Sequence, residues 1–411
     1  MTPKKFARIL LLVCVALVVA NNPSHAYAQD TPTPWATTLP MQLSTPGFAP
    51  LVKIILNDEV EGTFLLATGD NNCYITDRLA NMLHLSIRKA VGPKGPLLVE
   101  GQPAEVISVP KIRFGNMELQ GRIDFLVVSQ DQLDTLHRSS VTQGAIDGAI
   151  GLPFFQKIPI LFDYPDLKVT ILLPGTTISQ NKLVVLGMPQ AHALPLKESD
   201  SDGYYTVPAL IGNTKMQLLV DTSYPLTVIP PALATQLKLK PIRQLEDPKR
   251  PGQFFNTAEL ESLKLGTLVI SPLTVGYYTS LPPGADWWDQ AVLGTDVLIK
   301  FQVLYDLPDK RLYLQQPSPH APHYGFAVFI SSLPFQMRIQ AVRPDSPAAK
   351  AGLQVGDIVE AINGQPISDL TPDAAMRLIL QSPDPLVLQV KRHGQAQPVE
   401  IRIRAAKGGQ S

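Results

Sequence analysis

Nearly the same phrase occurs twice in this chain. Phe64-Leu65-Leu66-Ala67-Thr68-Gly69 is answered by Leu218-Leu219-Val220-Asp221-Thr222-Ser223. With Ala67 set against Asp221, Ile75 meets Ile229, Leu79 meets Leu233, Ala80 meets Ala234, Leu83 meets Leu237 and Leu85 meets Leu239. Each copy therefore reads as a buried strand, a tight turn, a second short strand and a helix with one apolar face. The match resumes further on. Asp147-Gly148-Ala149-Ile150-Gly151 parallels Gln290-Ala291-Val292-Leu293-Gly294, and Phe162-Asp163-Tyr164-Pro165-Asp166 parallels Tyr305-Asp306-Leu307-Pro308-Asp309. An alternating apolar strand follows each Asp-x-Pro-Asp piece, which marks a hairpin turn. A duplication of this length constrains the fold more than any single motif, because both halves must be built from the same parts.

The remaining segments order themselves around that repeat. Residues 1–28 read as a signal peptide: Lys4, Lys5 and Arg8 precede an apolar run from Ile9 to Ala20, and Ala26-Tyr27-Ala28 supplies the small-x-small cleavage pattern. Removal of Cys14 with that segment leaves Cys73 alone, so no internal disulfide is expected, and Cys73 itself reads as a small core residue. Residues 29–42 read as a flexible polar leader, with strands beginning near Leu43. The repeat then divides into 43–180 and 181–316. Pro317, Pro319 and Pro322 mark a stiff linker at 317–321. Beyond it, 322–404 has a different character. Ser346 to Gly352 is a short helix with start and stop signals, and Asn363-Gly364 is a hairpin turn. Thr371 to Gln381 is an amphipathic helix, and 405–411 is a polar tail. Lys+Arg and Asp+Glu are equal at 35 each. There is no net field, and no basic stripe, to draw in nucleic acid.

The two halves resemble the lobes of a retropepsin-like, pepsin-type aspartic protease. That family's motif is an apolar pair running into Asp-Thr-Gly/Ser-Ala, with apolar-apolar-Gly downstream in the same lobe. The second half carries Val220-Asp221-Thr222-Ser223 and Val292-Leu293-Gly294, departing at Tyr224; the first carries Leu66-Ala67-Thr68-Gly69 and Ala149-Ile150-Gly151. Residues 322–404 resemble a bacterial PDZ domain. The fold these resemblances imply is mainly β: a bilobal pair of β-barrels followed by a small α+β domain. They also imply that Thr68 and Thr222 lock the two turns across the interface.

In the family, the chemistry rests on two carboxylates that share a proton. One acts as general base on a water while the other donates to the scissile carbonyl. Asp221 is the catalytic candidate, and Ala67 stands where its partner belongs. Thr68, Gly69, Thr222 and Ser223 form the supporting turns. Asp70 reads as a turn residue and not as a substitute acid. Residues 90–103 and 244–256 are candidate flaps, and Trp287-Trp288 is a candidate cleft wall. In the second resemblance, Gly325, Phe326 and Ala327 supply backbone donors for a peptide carboxylate. Phe326, Val328, Met376 and Leu380 line the pocket for its last side chain.

Three functions follow: a peptide-binding pseudoprotease, an endopeptidase relying on Asp221, and an envelope scaffold acting through the PDZ domain alone. On the first, Ala67→Asp restores the pair. The expected partners are peptides, protein C-termini and exported or unfolded proteins. The expected compartment is the periplasm of a Gram-negative cell. No cofactor is expected. No metal is expected either, since the seven His are scattered.

Overall fold

The computed structural model describes residues 35–404, apart from 45–46, 93–94, 100, 138–145, 200–202, 247–253, 272, 280–290, 317–323, 325, 333–334, 343–345, 371–373, 376–377, 380–381, 383, 393 and 396. The expected signal peptide 1–28, linker 317–321 and tail 405–411 lie outside the described residues, as does Trp287-Trp288.

The repeated phrase becomes the same supersecondary unit in both halves. In the first, strand Val60–Leu66 pairs antiparallel with Pro50–Leu56 and parallel with Gly148–Ile150, which also pairs with Cys73–Thr76. In the second, Thr214–Val220 pairs antiparallel with Tyr205–Ile211 and parallel with Val292–Leu293, and Val228 bridges to Val292. The short parallel strand thus closes the mouth around each turn. The apolar run Phe64-Leu65-Leu66-Ala67 is unbroken because both of its faces meet a core. Phe64 and Leu66 enter one core, while Leu65 and Ala67 enter another, as a period of two requires. The helices Asp77–Met82 and Pro231–Gln236 follow, burying Leu79, Ala80 and Leu233, Ala234 respectively.

Glycine ends each parallel strand because the chain passes too close for a side chain. A Cβ on Gly151 would lie 2.1 Å from the Asn72 carbonyl oxygen, and one on Gly294 2.6 Å from the Leu226 carbonyl carbon. Asn72 and Leu226 are themselves equivalent in the repeat.

A six-stranded sheet joins the halves, in the order Ala36–Pro40, Lys168–Leu172, Ile160–Asp163, Gln302–Asp306, Arg311–Gln315, His192–Pro195. At its centre Leu161 lies directly opposite Leu304. These residues occupy the same place in the two copies, so an approximate twofold axis passes between them. Both Asp-x-Pro-Asp pieces are hairpin turns, as expected. One expectation is corrected. Of the flexible leader expected at 29–42, residues 29–34 lie outside the described residues, and Ala36–Pro40 is instead the edge strand of this sheet, in register with Lys168–Leu172. Its Thr37 is buried and donates to Asn116 Oδ1 at 2.5 Å.

The C-terminal unit has its own core, including Met337, Ile339, Val359, Leu388 and Ile403. Its main strands run Phe326–Ser332, Phe335–Val342, Ile358–Ile362, Leu386–Lys391, Val399–Ile403. Asn363-Gly364 makes the expected tight turn, with φ of 48° and 81°. Ser346 caps the helix Pro347–Lys350 through the Ala349 amide. Ala374, Ala375, Leu378 and Ile379 are helical within the expected 371–381 helix.

Candidate functional site

The two turns meet on the axis, and their backbones repeat each other bond for bond. Ala67 N donates to Ile150 O at 2.9 Å, and Asp221 N donates to Leu293 O at 3.2 Å. Leu152 N donates to Asp70 O at 2.7 Å, and Thr295 N donates to Tyr224 O at 2.8 Å. Across the interface the relation is reciprocal. Thr68 N donates to Thr222 Oγ1 at 3.1 Å, and Thr222 N donates to Thr68 Oγ1 at 3.0 Å. Each hydroxyl then donates onward, Thr68 to Val220 O at 2.8 Å and Thr222 to Leu66 O at 2.6 Å. All four bonds are buried. The threonines therefore clamp the turns together whether or not a second carboxylate is present.

Asp221 is 1 % exposed. Its Oδ1 accepts from the Ser223 amide at 2.7 Å and from the Ser223 hydroxyl at 2.6 Å. The carboxylate lies against Gly69 of the other turn: a Cβ there would sit 2.3 Å from Asp221 Cγ and Oδ2. Only glycine permits this approach. The twofold partner of Asp221 is Ala67, which is wholly buried among Leu51, Leu65 and Ala149. A methyl group neither donates, accepts nor titrates. One carboxylate thus stands where the repeat would place two.

Five further residues surround the turns. Asp70 closes its turn through its backbone, its N donating to Ala67 O at 3.2 Å. Its carboxylate Oδ2 lies 3.4 Å from Nε2 of the buried His137, the residue that ends helix Gln130–Leu136. His137 was not singled out in the sequence, where nothing links it to Asp70. Cys73 is buried, its sulfur accepts from the Gly151 amide at 3.4 Å, and burial pushes its thiol up to about 12. It is the inert core residue that was expected. Tyr164 and Tyr305, one from each half, are fully buried, and their hydroxyls meet no hydrogen-bond partner among the described residues. Burial raises both phenols far above their ordinary range, and the nearby charge of Asp221 adds to the effect.

Both candidate flaps contain hairpins. In the first half Val91–Gly92 pairs with Gly95–Pro96, and Leu98–Val99 pairs with Gln102–Pro103. In the second half Arg243–Glu246 pairs with Phe254–Leu260. Of the second expected site, Gly325, Met376 and Leu380 lie outside the described residues. Phe326, Ala327 and Val328 lie on the first strand of the C-terminal sheet, opposite Val342, Ala341 and Ile339.

A family model for the PDZ domain matches residues 338–392. No curated protein matches the sequence. Among solved structures the chain is similar to conglutin gamma, a basic 7S globulin from lupine seeds, at 14 % identity and a TM-score of 0.42, covering 70 % of this chain and 96 % of that one. It is similar also to the basic 7S globulin of soybean, at 14 % identity and a TM-score of 0.39, covering 69 % and 95 % respectively.

Proposed function

We propose that this chain is an exported peptide-binding protein built on an aspartic-protease scaffold that no longer hydrolyses peptides, with a PDZ domain that takes peptide or protein C-termini. One observation carries the reading: Ala67 occupies the twofold mate of Asp221 while the threonine clamp around it is intact. A single carboxylate can accept a proton from water. It has no second carboxyl to donate to the scissile carbonyl, so the general acid-base step lacks one of its two parts. The threonine-clamped scaffold remains, and a PDZ domain binds an extended chain by strand addition. The signal-like sequence of residues 1–28 supports export to the periplasm.

The test uses the purified chain and a mixed peptide library, incubated from about pH 3 to 7, a range spanning the carboxylate pKa values. No cleavage is expected at any pH, and Asp221→Ala changes nothing. Peptides with a free C-terminal carboxylate bind, and the same peptides amidated at the C-terminus bind at least tenfold more weakly. Pepstatin-sensitive cleavage that Asp221→Ala abolishes would instead make the chain an endopeptidase.

A further inference from the structure

The repeat sets position 69 against 223 as firmly as it sets 67 against 221. The reciprocal Thr68 and Thr222 bonds show that the two turns obey this correspondence in space. On one side of the axis, the carboxylate of Asp221 rests on Gly69, so close that a Cβ would lie 2.3 Å from Cγ. On the other side the same relation sets position 67 against Ser223, and Ser223 has a Cβ. It is 5 % exposed and held in place, since both its amide and its hydroxyl donate to Asp221 Oδ1.

We infer that Ala67 and Ser223 are a matched pair, in which the Ser223 side chain takes the place that an aspartate carboxylate at position 67 would need. The site is thus built for one carboxylate, with two coupled positions committing it to that state. Each pairing across the axis combines one long side chain with one short one: Asp221 with glycine, serine with alanine. An aspartate at 67 facing a serine at 223 breaks the rule and overfills the interface. Ala67→Asp alone therefore does not recreate the pair; Ser223→Gly is needed with it.

Packing alone sets this pairing, whether or not the site cleaves or binds peptides. Its test is thermal unfolding of the full chain, with no activity readout. Asparagine has nearly the shape of aspartate without its charge, so Ala67→Asn reads space without like-charge repulsion from Asp221. Its contact with the apolar cluster around Leu65 is common to every background and cancels. With Ser223 present, Ala67→Asn is expected to lower Tm by roughly 5 °C or more. With Ser223→Ala, which keeps the Cβ and loses the hydroxyl, the drop stays the same. With Ser223→Gly it falls to less than half. If Ser223→Gly is itself too unstable to serve as a background, adding Ala67→Asn to it raises Tm, because the amide fills the space that the lost Cβ leaves. Equal drops in all three backgrounds would overturn the pairing, and so, where Ser223→Gly is too unstable to serve as a background, would a double variant no more stable than Ser223→Gly.

Discussion

At the scale of single residues, Thr68 and Thr222 each carry more of the interface than their size suggests. Each hydroxyl accepts one buried amide proton from the other half and donates to a buried carbonyl there. Thr68→Val keeps the shape and strands both partners. We expect it to cost about 2–4 kcal/mol, because unpaired buried amides and carbonyls retain their desolvation penalty. Thr68→Ser should recover most of that, and denaturant midpoints check both. Asp306 gives a second prediction. It is wholly buried, and its Oδ2 meets no donor among the described residues, whereas Oδ2 of its repeat partner Asp163 accepts from Gln302 at 2.9 Å. Burial raises the Asp306 carboxyl to about 6, from an ordinary 3.8. The folded chain therefore holds this proton more tightly than the unfolded chain. The stabilising contribution is complete below the unfolded value and is lost as pH rises through the folded one. Asp306→Asn is expected to flatten that slope and to stabilise the chain at pH 7 by about 1–3 kcal/mol. Unfolding free energies measured between about pH 4 and 7 check the sign.

At the scale of elements, the repeat was legible because its signals are local. The burial of Leu79 and Ala80, and of Leu233 and Ala234, follows from their place on one helical face. The Asp-x-Pro-Asp and Asn363-Gly364 turns follow from their residue types. Ala36–Pro40 was not legible. Its Thr, Leu and Pro resemble a solvated leader, and only register with the distant Lys168–Leu172 makes it a strand. Nor was the meeting of Asp70 and His137, since nothing in the sequence ties the helix Gln130–Leu136 to that turn. Even the coupling of Ala67 to Ser223 needed the Gly69 approach to be seen before the one-letter difference acquired a meaning. In the PDZ domain, Asp357 ties down the loop before strand Ile358–Ile362. There Asp357 is buried, accepts from the Gln354 amide at 2.9 Å, and receives Arg392 through Nε at 2.9 Å and a second guanidinium nitrogen at 2.7 Å. Asp357→Ala leaves that guanidinium without its counter-charge. We expect it to cost the domain about 3 kcal/mol, seen as an earlier melting step in calorimetry while the step of the larger body is unchanged.

At the scale of the whole molecule, the cores of the repeat and of the PDZ domain are separate clusters, touched in common by Phe48 and Ile299. The two halves of the repeat are not separable in that way. The contact through Leu161 and Leu304 is a run of backbone pairing, with Ile160–Asp163 lying along Gln302–Asp306. Until the second half has been made, the first presents that strand as a bare edge, and a bare edge will accept any strand of suitable shape. The nearest one in a crowded compartment is the same edge on another copy. Residues 35–180 made alone should therefore self-associate through Ile160–Asp163, and co-production with residues 181–404 should divert them into a one-to-one complex, which light scattering distinguishes. The pairing that places the axis thus also sets a timing problem for biosynthesis: one half must wait, unprotected, for the partner that follows it on the same chain.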